Sequence, residues 1–68
     1  NFKNADLRHV NFYSANLTNA DLSGADLRNA FLDSADLSNA NLQDAILDNA
    51  ILSNANLKCL NHPICLNG

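Results

Sequence analysis

Residues 20–29 read ADLSGADLRN, which is two copies of a five-residue unit with an alanine two positions before a leucine. The unit recurs along most of the chain. Leucine or phenylalanine stands at every fifth position, at Phe2, Leu7, Phe12, Leu17, Leu22, Leu27, Leu32, Leu37, Leu42, Leu47, Leu52 and Leu57. Alanine stands two positions before each of these from residue 5 onward, with Val10 as the exception. Internal repetition at a fixed period is therefore the main structural signal.

A period of five excludes a continuous helix and a long strand. Five helical residues turn through about 500°, so a helix would distribute the leucines around all its sides. Alanine and leucine two positions apart instead predict a short extended segment with both side chains on one face. The residue between them, mostly Asp or Asn, points to the opposite face. The two remaining residues of each unit must turn the chain, and the second of them is mostly Asn or Ser, which favour turns.

Composition and charge exclude several functions. At 68 residues the chain is at most one domain with a small core, mainly of alanine and leucine. The net charge of −3 comes from seven Asp and no Glu against four Lys and Arg, which argues against direct nucleic-acid binding. No run of 18 apolar residues is present, so we expect no membrane span.

The units resemble the pentapeptide-repeat family, whose motif is A-(D/N)-L-x-x, as in Ala20-Asp21-Leu22-Ser23-Gly24. The match runs from residue 1 to about residue 58. The resemblance implies an all-β fold, a right-handed quadrilateral β-solenoid with four repeats per coil and about three coils. We therefore expect a solenoid over residues 1–58 and a C-terminal cap over residues 59–68. The two large rings of Phe2 and Phe12 are expected to plug one end, or to abut a further coil.

The repeat breaks at Cys59, and the residues that follow predict the cap. Pro63 cannot donate to a backbone ladder, and Ile64 and Leu66 are expected to lie across the last coil. Cys59 and Cys65 bracket this turn, which predicts a disulfide that staples the cap. Two reduced thiols are the main alternative. A metal site with His62 is disfavoured because structural zinc takes four protein ligands; we expect His62 to be a partly exposed cap residue.

No catalytic, cofactor-binding or metal-binding residues are predicted, and no small-molecule substrate is expected. Asp6, Asp21, Asp26 and Asp36 stand at the outward motif position, on a convex surface without a cleft, and are interpreted as solubilising groups. The chain contains only two Gly and has no glycine-rich loop of the kind that binds phosphate. The chain is therefore not expected to be an enzyme.

Three outward positions carry bulky apolar residues instead of Asp or Asn: Phe31, Ile46 and Ile51. Stacking of positions four repeats apart places Phe31 beside Ile51 on one face and Ile46 on the adjoining face. Single exposed apolar residues arise without selection, so tolerated drift is one interpretation. The other is a contact patch for another protein or for self-association, which Tyr13 could extend.

The resemblance implies two classes of role. Some family members resemble double-stranded DNA and bind type II topoisomerases such as gyrase, which confers inhibitor resistance. Others, in the periplasm or the thylakoid lumen of cyanobacteria and plastids, have no defined activity, and some carry a C-terminal cysteine pair. We favour a non-catalytic structural or protein-interaction module in such an oxidising compartment. The alternatives are the topoisomerase-binding DNA mimic, a cytoplasmic location, and a repeat segment of a larger multidomain protein.

Overall fold

The computed structural model describes residues 1–66. Within them the backbone forms no helix and no strand longer than an isolated bridge. Parallel bridges join positions four repeats apart along the chain, as the resemblance implies. The last bridge is the exception, because its two residues are one position closer in the sequence. The eight pairs are Asp6 with Asp26, Asn11 with Phe31, Asn16 with Asp36, Asp21 with Asn41, Asp26 with Ile46, Phe31 with Ile51, Asp36 with Asn56, and Asn41 with Leu60. Successive coils of four repeats therefore stack on one another.

The bridged residues form four columns on the outside of the stack. Column 1 contains Asp21, Asn41 and Leu60; column 2 contains Asp6, Asp26 and Ile46; column 3 contains Asn11, Phe31 and Ile51; column 4 contains Asn16, Asp36 and Asn56. The pairing divides the stack into three coils: coil 1 spans 1–20, coil 2 spans 21–40 and coil 3 spans 41–59.

Repeats in the middle of the stack make the same backbone hydrogen bonds to the coils on either side. In column 2, Asp26 N donates to Ala5 O of the previous coil at 2.9 Å, and Leu27 N donates to Ile46 O of the next coil at 2.7 Å. Between consecutive repeats, Ala30 N donates to Leu27 O at 3.0 Å and closes the corner. These bonds account for the isolated bridges: only one residue per side is extended before the chain turns again.

The second corner residue of every repeat from residue 4 to residue 54 has a positive φ, between 57° and 69°. Asn and Ser fill most of these positions, and Gly24 fills one. Because L-residues other than Asn and Asp enter this region at a cost, the Asn-rich corners of the sequence are the local cause of the turns.

The core is a stack of leucines lined by alanines, and it is complete only in the middle. Leu22, Leu27, Leu32 and Leu37 of coil 2 have no exposed surface. The corresponding residues at the ends of the stack, such as Leu7 and Leu47, are half-buried. At the coil 1 end, Phe2 and Phe12 contact each other edge to face, with ring centroids 5.6 Å apart. The two rings cover part of that end.

The last turn of the stack is one residue shorter than the others. Asn41 pairs with Leu60 rather than with Asn61, so a single residue, Lys58, separates Leu57 from Cys59. Cys59 consequently takes the alanine position next to Ala40 and is fully buried. Repeat-type pairing thus extends to Leu60, beyond the predicted end of the repeats at residue 58.

Residues 61–66 then fold back over the end of coil 3. His62 Nε2 lies 3.0 Å from Ala45 O, and Leu66 N donates to Leu57 O at 2.7 Å. Ile64 packs against the core, as expected. The expectation that the Leu66 side chain covers the last coil is wrong: its backbone is bonded to the stack, but the residue is 70% exposed. Residues 67–68 of the predicted cap lie outside the described residues.

Candidate functional site

The structure places the predicted contact patch on two neighbouring columns. Phe31 is bridged directly to Ile51 in column 3, and Ile46 ends column 2. The three side chains are 44%, 42% and 42% exposed, in that order. Tyr13 follows Asn11 by two positions at the corner next to column 3 and is 62% exposed. The four residues, hereafter the apolar patch, therefore lie on adjoining outer surfaces, while their role as a contact site stays a prediction.

The Asp and Asn residues at the outward motif position have a structural task that the sequence did not reveal. In each case Oδ1 accepts a hydrogen bond from the backbone N two positions later, as from Arg28 N to Asp26 at 3.2 Å and from Ser38 N to Asp36 at 3.0 Å. The residues that accept this bond are Asn1, Asp6, Asn11, Asn16, Asp21, Asp26, Asp36, Asn41 and Asn56. This is an Asx turn, and it stabilises the corner that follows.

Phe31, Ile46 and Ile51 have no side-chain oxygen and cannot form the Asx turn. Within residues 1–66, the amides two positions later, those of Asp33, Asp48 and Ser53, consequently lack this partner. Next to Phe31, the Oδ1 atom of Asp33 is shielded from solvent and makes no hydrogen bond. Three of the four residues of the apolar patch, all except Tyr13, therefore stand in repeats whose corners lack the Asx turn.

Column 2 carries two surface ion pairs. Arg8 Nη2 lies 2.8 Å from Asp6 Oδ2, and Arg28 Nη2 lies 2.6 Å from Asp26 Oδ2. Arg8 Nε also approaches Asp26 Oδ2, at 4.0 Å, and links the two pairs. The hydrogen bond from Arg8 lowers the pKa of Asp6 to about 2, and that from Arg28 lowers the pKa of Asp26. Both carboxylates are therefore charged and paired with arginine at neutral pH, an arrangement unsuited to general acid catalysis.

Column 1 borders a shallow polar groove that the sequence did not predict. It has a volume of about 460 Å³, and its lining includes Gly24, whose missing side chain leaves a gap in the row of corner residues. The Asn4 side chain of coil 1 leans into this gap, and its Oδ1 occupies the space that a Cβ of residue 24 would take. The sequence contained one sign of this groove: residue 24 is Gly, at a corner position where most other repeats have Asn or Ser.

The two cysteines form the predicted disulfide. Cys59 and Cys65 are bonded to each other, with Cα atoms 5.1 Å apart. His62 is half-buried beside them: its Nδ1 accepts a hydrogen bond from Ile64 N at 3.2 Å, so the neutral ring donates from Nε2 to Ala45 O. Both ring nitrogens are thus engaged in holding the cap. Within residues 1–66, no three His, Cys or acidic side chains are grouped closely enough to bind a metal ion.

The described part of the chain also contains no helix long and apolar enough to cross a membrane.

The repeats are matched by the family model for pentapeptide repeats, with eight copies over residues 1–33 and 35–61. The match covers most of the chain, and the chain therefore belongs to the pentapeptide-repeat family. Proteins of this family fold as right-handed quadrilateral β-helices. The comparison with curated proteins gave no match.

The solved structures that are similar to the chain include two pentapeptide repeat proteins. A pentapeptide repeat protein from the thylakoid lumen of Arabidopsis thaliana is 41% identical over 81% of this chain and 42% of its own, with a TM-score of 0.45. HetL, a pentapeptide repeat protein involved in heterocyst differentiation regulation in Nostoc sp. strain PCC 7120, is 37% identical over 87% of this chain and 33% of its own, with a TM-score of 0.30. The chain spans less than half the length of either protein.

Proposed function

We propose that this chain is a non-catalytic protein-interaction module that binds its partner through the apolar patch of Tyr13, Phe31, Ile46 and Ile51. The observation that carries the proposal is that the three departures from Asp or Asn each remove an Asx turn. A net hydrogen bond contributes about 1 kcal/mol, so each departure has a cost for folding. Three such costs on adjoining surfaces are better explained by a gain in binding than by drift.

The exposed chemistry of the patch suits a protein partner. Aromatic side chains are enriched in the cores of protein interfaces, and charged residues are depleted there. In column 3, the Phe31 ring lies beside the branched Ile51 side chain, with Tyr13 at the neighbouring corner. Beside the patch, the paired carboxylates of Asp6 and Asp26 form a polar rim.

The fold that we propose for this module is the right-handed quadrilateral β-solenoid of its family, closed at the C-terminal end by the cap that begins at Cys59 and is described as far as residue 66. Four outward columns, a pairing interval of four repeats and a positive φ at every corner from residue 4 to residue 54 support this architecture. Such a rigid scaffold presents its surface residues with little loss of conformational entropy on binding.

We further propose an oxidising compartment, either the periplasm or the thylakoid lumen. The Cys59–Cys65 disulfide supports this location, because disulfides persist in such compartments and are rare in the cytosol. Trapping thiols with an alkylating reagent at the moment of cell lysis tests it. Unmodified cysteines are expected, whereas alkylation of both would place the protein in a reducing compartment.

The DNA-mimic alternative gains no support from the charge distribution. A mimic of the phosphate backbone needs continuous unpaired negative charge, but Asp6 and Asp26 are paired with Arg8 and Arg28. Column 3 has no charged outward residue at all.

The interaction proposal is tested by affinity capture from an extract of the source cells under non-reducing conditions. The bait is the wild-type chain, the Phe31→Lys/Ile51→Lys variant, or a Ser38→Lys/Gln43→Lys control with the same added charge at side chains that make no hydrogen bond. We expect one set of proteins to be retained by the wild type and the control and lost from the patch variant. Equal retention by all three baits would exclude the patch as the binding surface.

A further inference from the structure

The last coil leaves one edge of column 3 unpaired. Ile51 uses its own N and O toward coil 2, donating to Ala30 O at 3.0 Å and accepting from Leu32 N at 2.9 Å. The flanking groups that face away from coil 2, the carbonyl of Ala50 and the amide of Leu52, make no hydrogen bond within residues 1–66. An unpaired sheet edge of this kind is a template for pairing with another chain.

The cap bonds to the edge of column 1 and to one group of column 2, whereas the edges of columns 3 and 4 stay open: in column 4 the Ala55 carbonyl and the Leu57 amide also make no hydrogen bond within residues 1–66. In column 1, Leu60 N donates to Ala40 O at 2.9 Å, and in column 2 the Ala45 carbonyl is bonded to His62 Nε2. At the corner that follows column 4, Leu66 N reaches Leu57 O. Column 3 lies opposite column 1 in the order of the columns, and among residues 61–66 no backbone group bonds to its edge.

Column 3 is also the side that a second copy of this chain can approach with least repulsion. The chain carries a net charge of −3, so two copies repel each other. Columns 1, 2 and 4 each present at least one outward Asp, whereas the outward residues of column 3 are Asn11, Phe31 and Ile51.

We propose that two copies of this chain pair edge to edge at Ile51, in antiparallel orientation about a two-fold axis. Leu52 N of each copy then donates to Ala50 O of the other, which satisfies all four unpaired groups. Ile51 stands directly opposite the second copy's Ile51 as a non-hydrogen-bonded pair, the arrangement that brings side chains closest. Phe31 extends the apolar contact on both sides of the axis.

The charges near the axis are compatible with this pairing. In the antiparallel register Asp48 comes opposite Asn54 of the second copy, so the carboxylates do not face each other. The contact is confined to the side away from the caps and is smaller than the roughly 800 Å² per partner of a standard stable interface. We therefore expect a weak, reversible dimer that forms at high protein concentration.

The pairing deepens the proposed function, because it assigns a second copy of the chain to part of the apolar patch. It is tested by cross-linking the oxidised full chain. In an Ile51→Cys variant, the two new thiols meet across the axis at a Cα separation suited to a disulfide. The matched control is Gln43→Cys, an exposed position beside column 1.

Both variants are oxidised at equal concentration, and covalent dimers are quantified by intact mass, with peptide mapping to verify that Cys59–Cys65 is retained. We expect Ile51→Cys to cross-link at least ten times faster than Gln43→Cys. In addition, the amide resonance of Leu52 in the wild type is expected to shift on dilution. Equal cross-linking rates, or a Leu52 amide that does not respond to dilution, would overturn the pairing.

The two proposals fail in different ways. If affinity capture yields patch-dependent partners while Ile51→Cys cross-links no faster than the control, the edge pairing is wrong and the interaction module stands. If Ile51→Cys cross-links rapidly while all three baits retain the same proteins, the edge pairing stands and the binding of another protein through the patch is wrong.

Discussion

Reducing the Cys59–Cys65 disulfide is expected to destabilise the stack measurably. The two cysteines are six residues apart, so the bond closes a short loop. In the chain-entropy model a loop of this length restricts the unfolded state by about 2 kcal/mol. For a chain of this size, that loss lowers the melting temperature by roughly 8–16 °C.

The staple also has a direct structural effect, because its two ends anchor different parts of the cap. Cys59 is buried in the alanine position above Ala40, and Cys65 N donates to His62 O at 3.0 Å. Without the bond, the segment that carries Ile64 is held only by a few hydrogen bonds and by its apolar contact with the core. We expect the cap to open before the coils do.

The assay is thermal unfolding followed by circular dichroism, with and without a thiol reductant. A Cys59→Ala/Cys65→Ala variant is the control, since reductant must leave its melting temperature unchanged. Alanine fits the position of Cys59, although the lost sulfur leaves a small cavity; the comparison of oxidised with reduced wild type therefore isolates the staple. A difference below about 0.5 kcal/mol between the two wild-type forms would refute the argument that the unfolded state is what the bond restrains.

Three further changes test the core, a corner and the charged column by thermal or urea unfolding. Leu32→Ala removes a fully buried side chain of coil 2 and is expected to cost about 3 kcal/mol; a loss below about 1 kcal/mol would mean that the coils are loosely packed. Gly24→Ala forces an L-residue into φ 69° and displaces the Asn4 side chain, so we expect a loss of about 1 kcal/mol, and a smaller one for Gly24→Asn. The side-chain hydrogen bond from Arg8, followed by the backbone hydrogen bond from the same residue, lowers the pKa of Asp6 to about 2, so its contribution is complete above about pH 4 and disappears as the pH falls toward 2. In Arg8→Gln this part of the acid sensitivity should be reduced but not abolished, because the backbone amide of residue 8 remains.

The periodicity of the sequence predicted the regular part of the molecule. Leucine at every fifth position and alanine two positions earlier determined which side chains face inward, and coil 2 shows them fully buried. The number of repeats in each coil came from the family resemblance, because a spacing of five does not determine how many sides a coil has. Sequence periodicity predicts a repeat structure well because every repeat adopts the same local conformation and contacts only its neighbours.

The features that the sequence did not reveal are hydrogen bonds of individual side-chain atoms and a one-residue shift in the pairing of the last coil. The Asx turns were missed because the outward Asp and Asn were interpreted as solvated groups, and solvation and corner capping favour the same residue types. The shortened turn at Lys58 was missed because a leucine at residue 60 is ambiguous: it fits a cap as well as an outward position.

The Asx turns change the meaning of the apolar patch. If the outward position were only a solvated site, Phe31 and Ile51 would be neutral replacements and their clustering would carry little weight. Because that position also caps the following corner, each replacement forfeits a hydrogen bond that every Asp or Asn there forms. Replacing Ile51 with Asn should therefore stabilise the isolated chain and weaken its association. A gain in stability with a loss of binding indicates a selected contact surface, whereas a gain in stability with no loss of binding indicates drift.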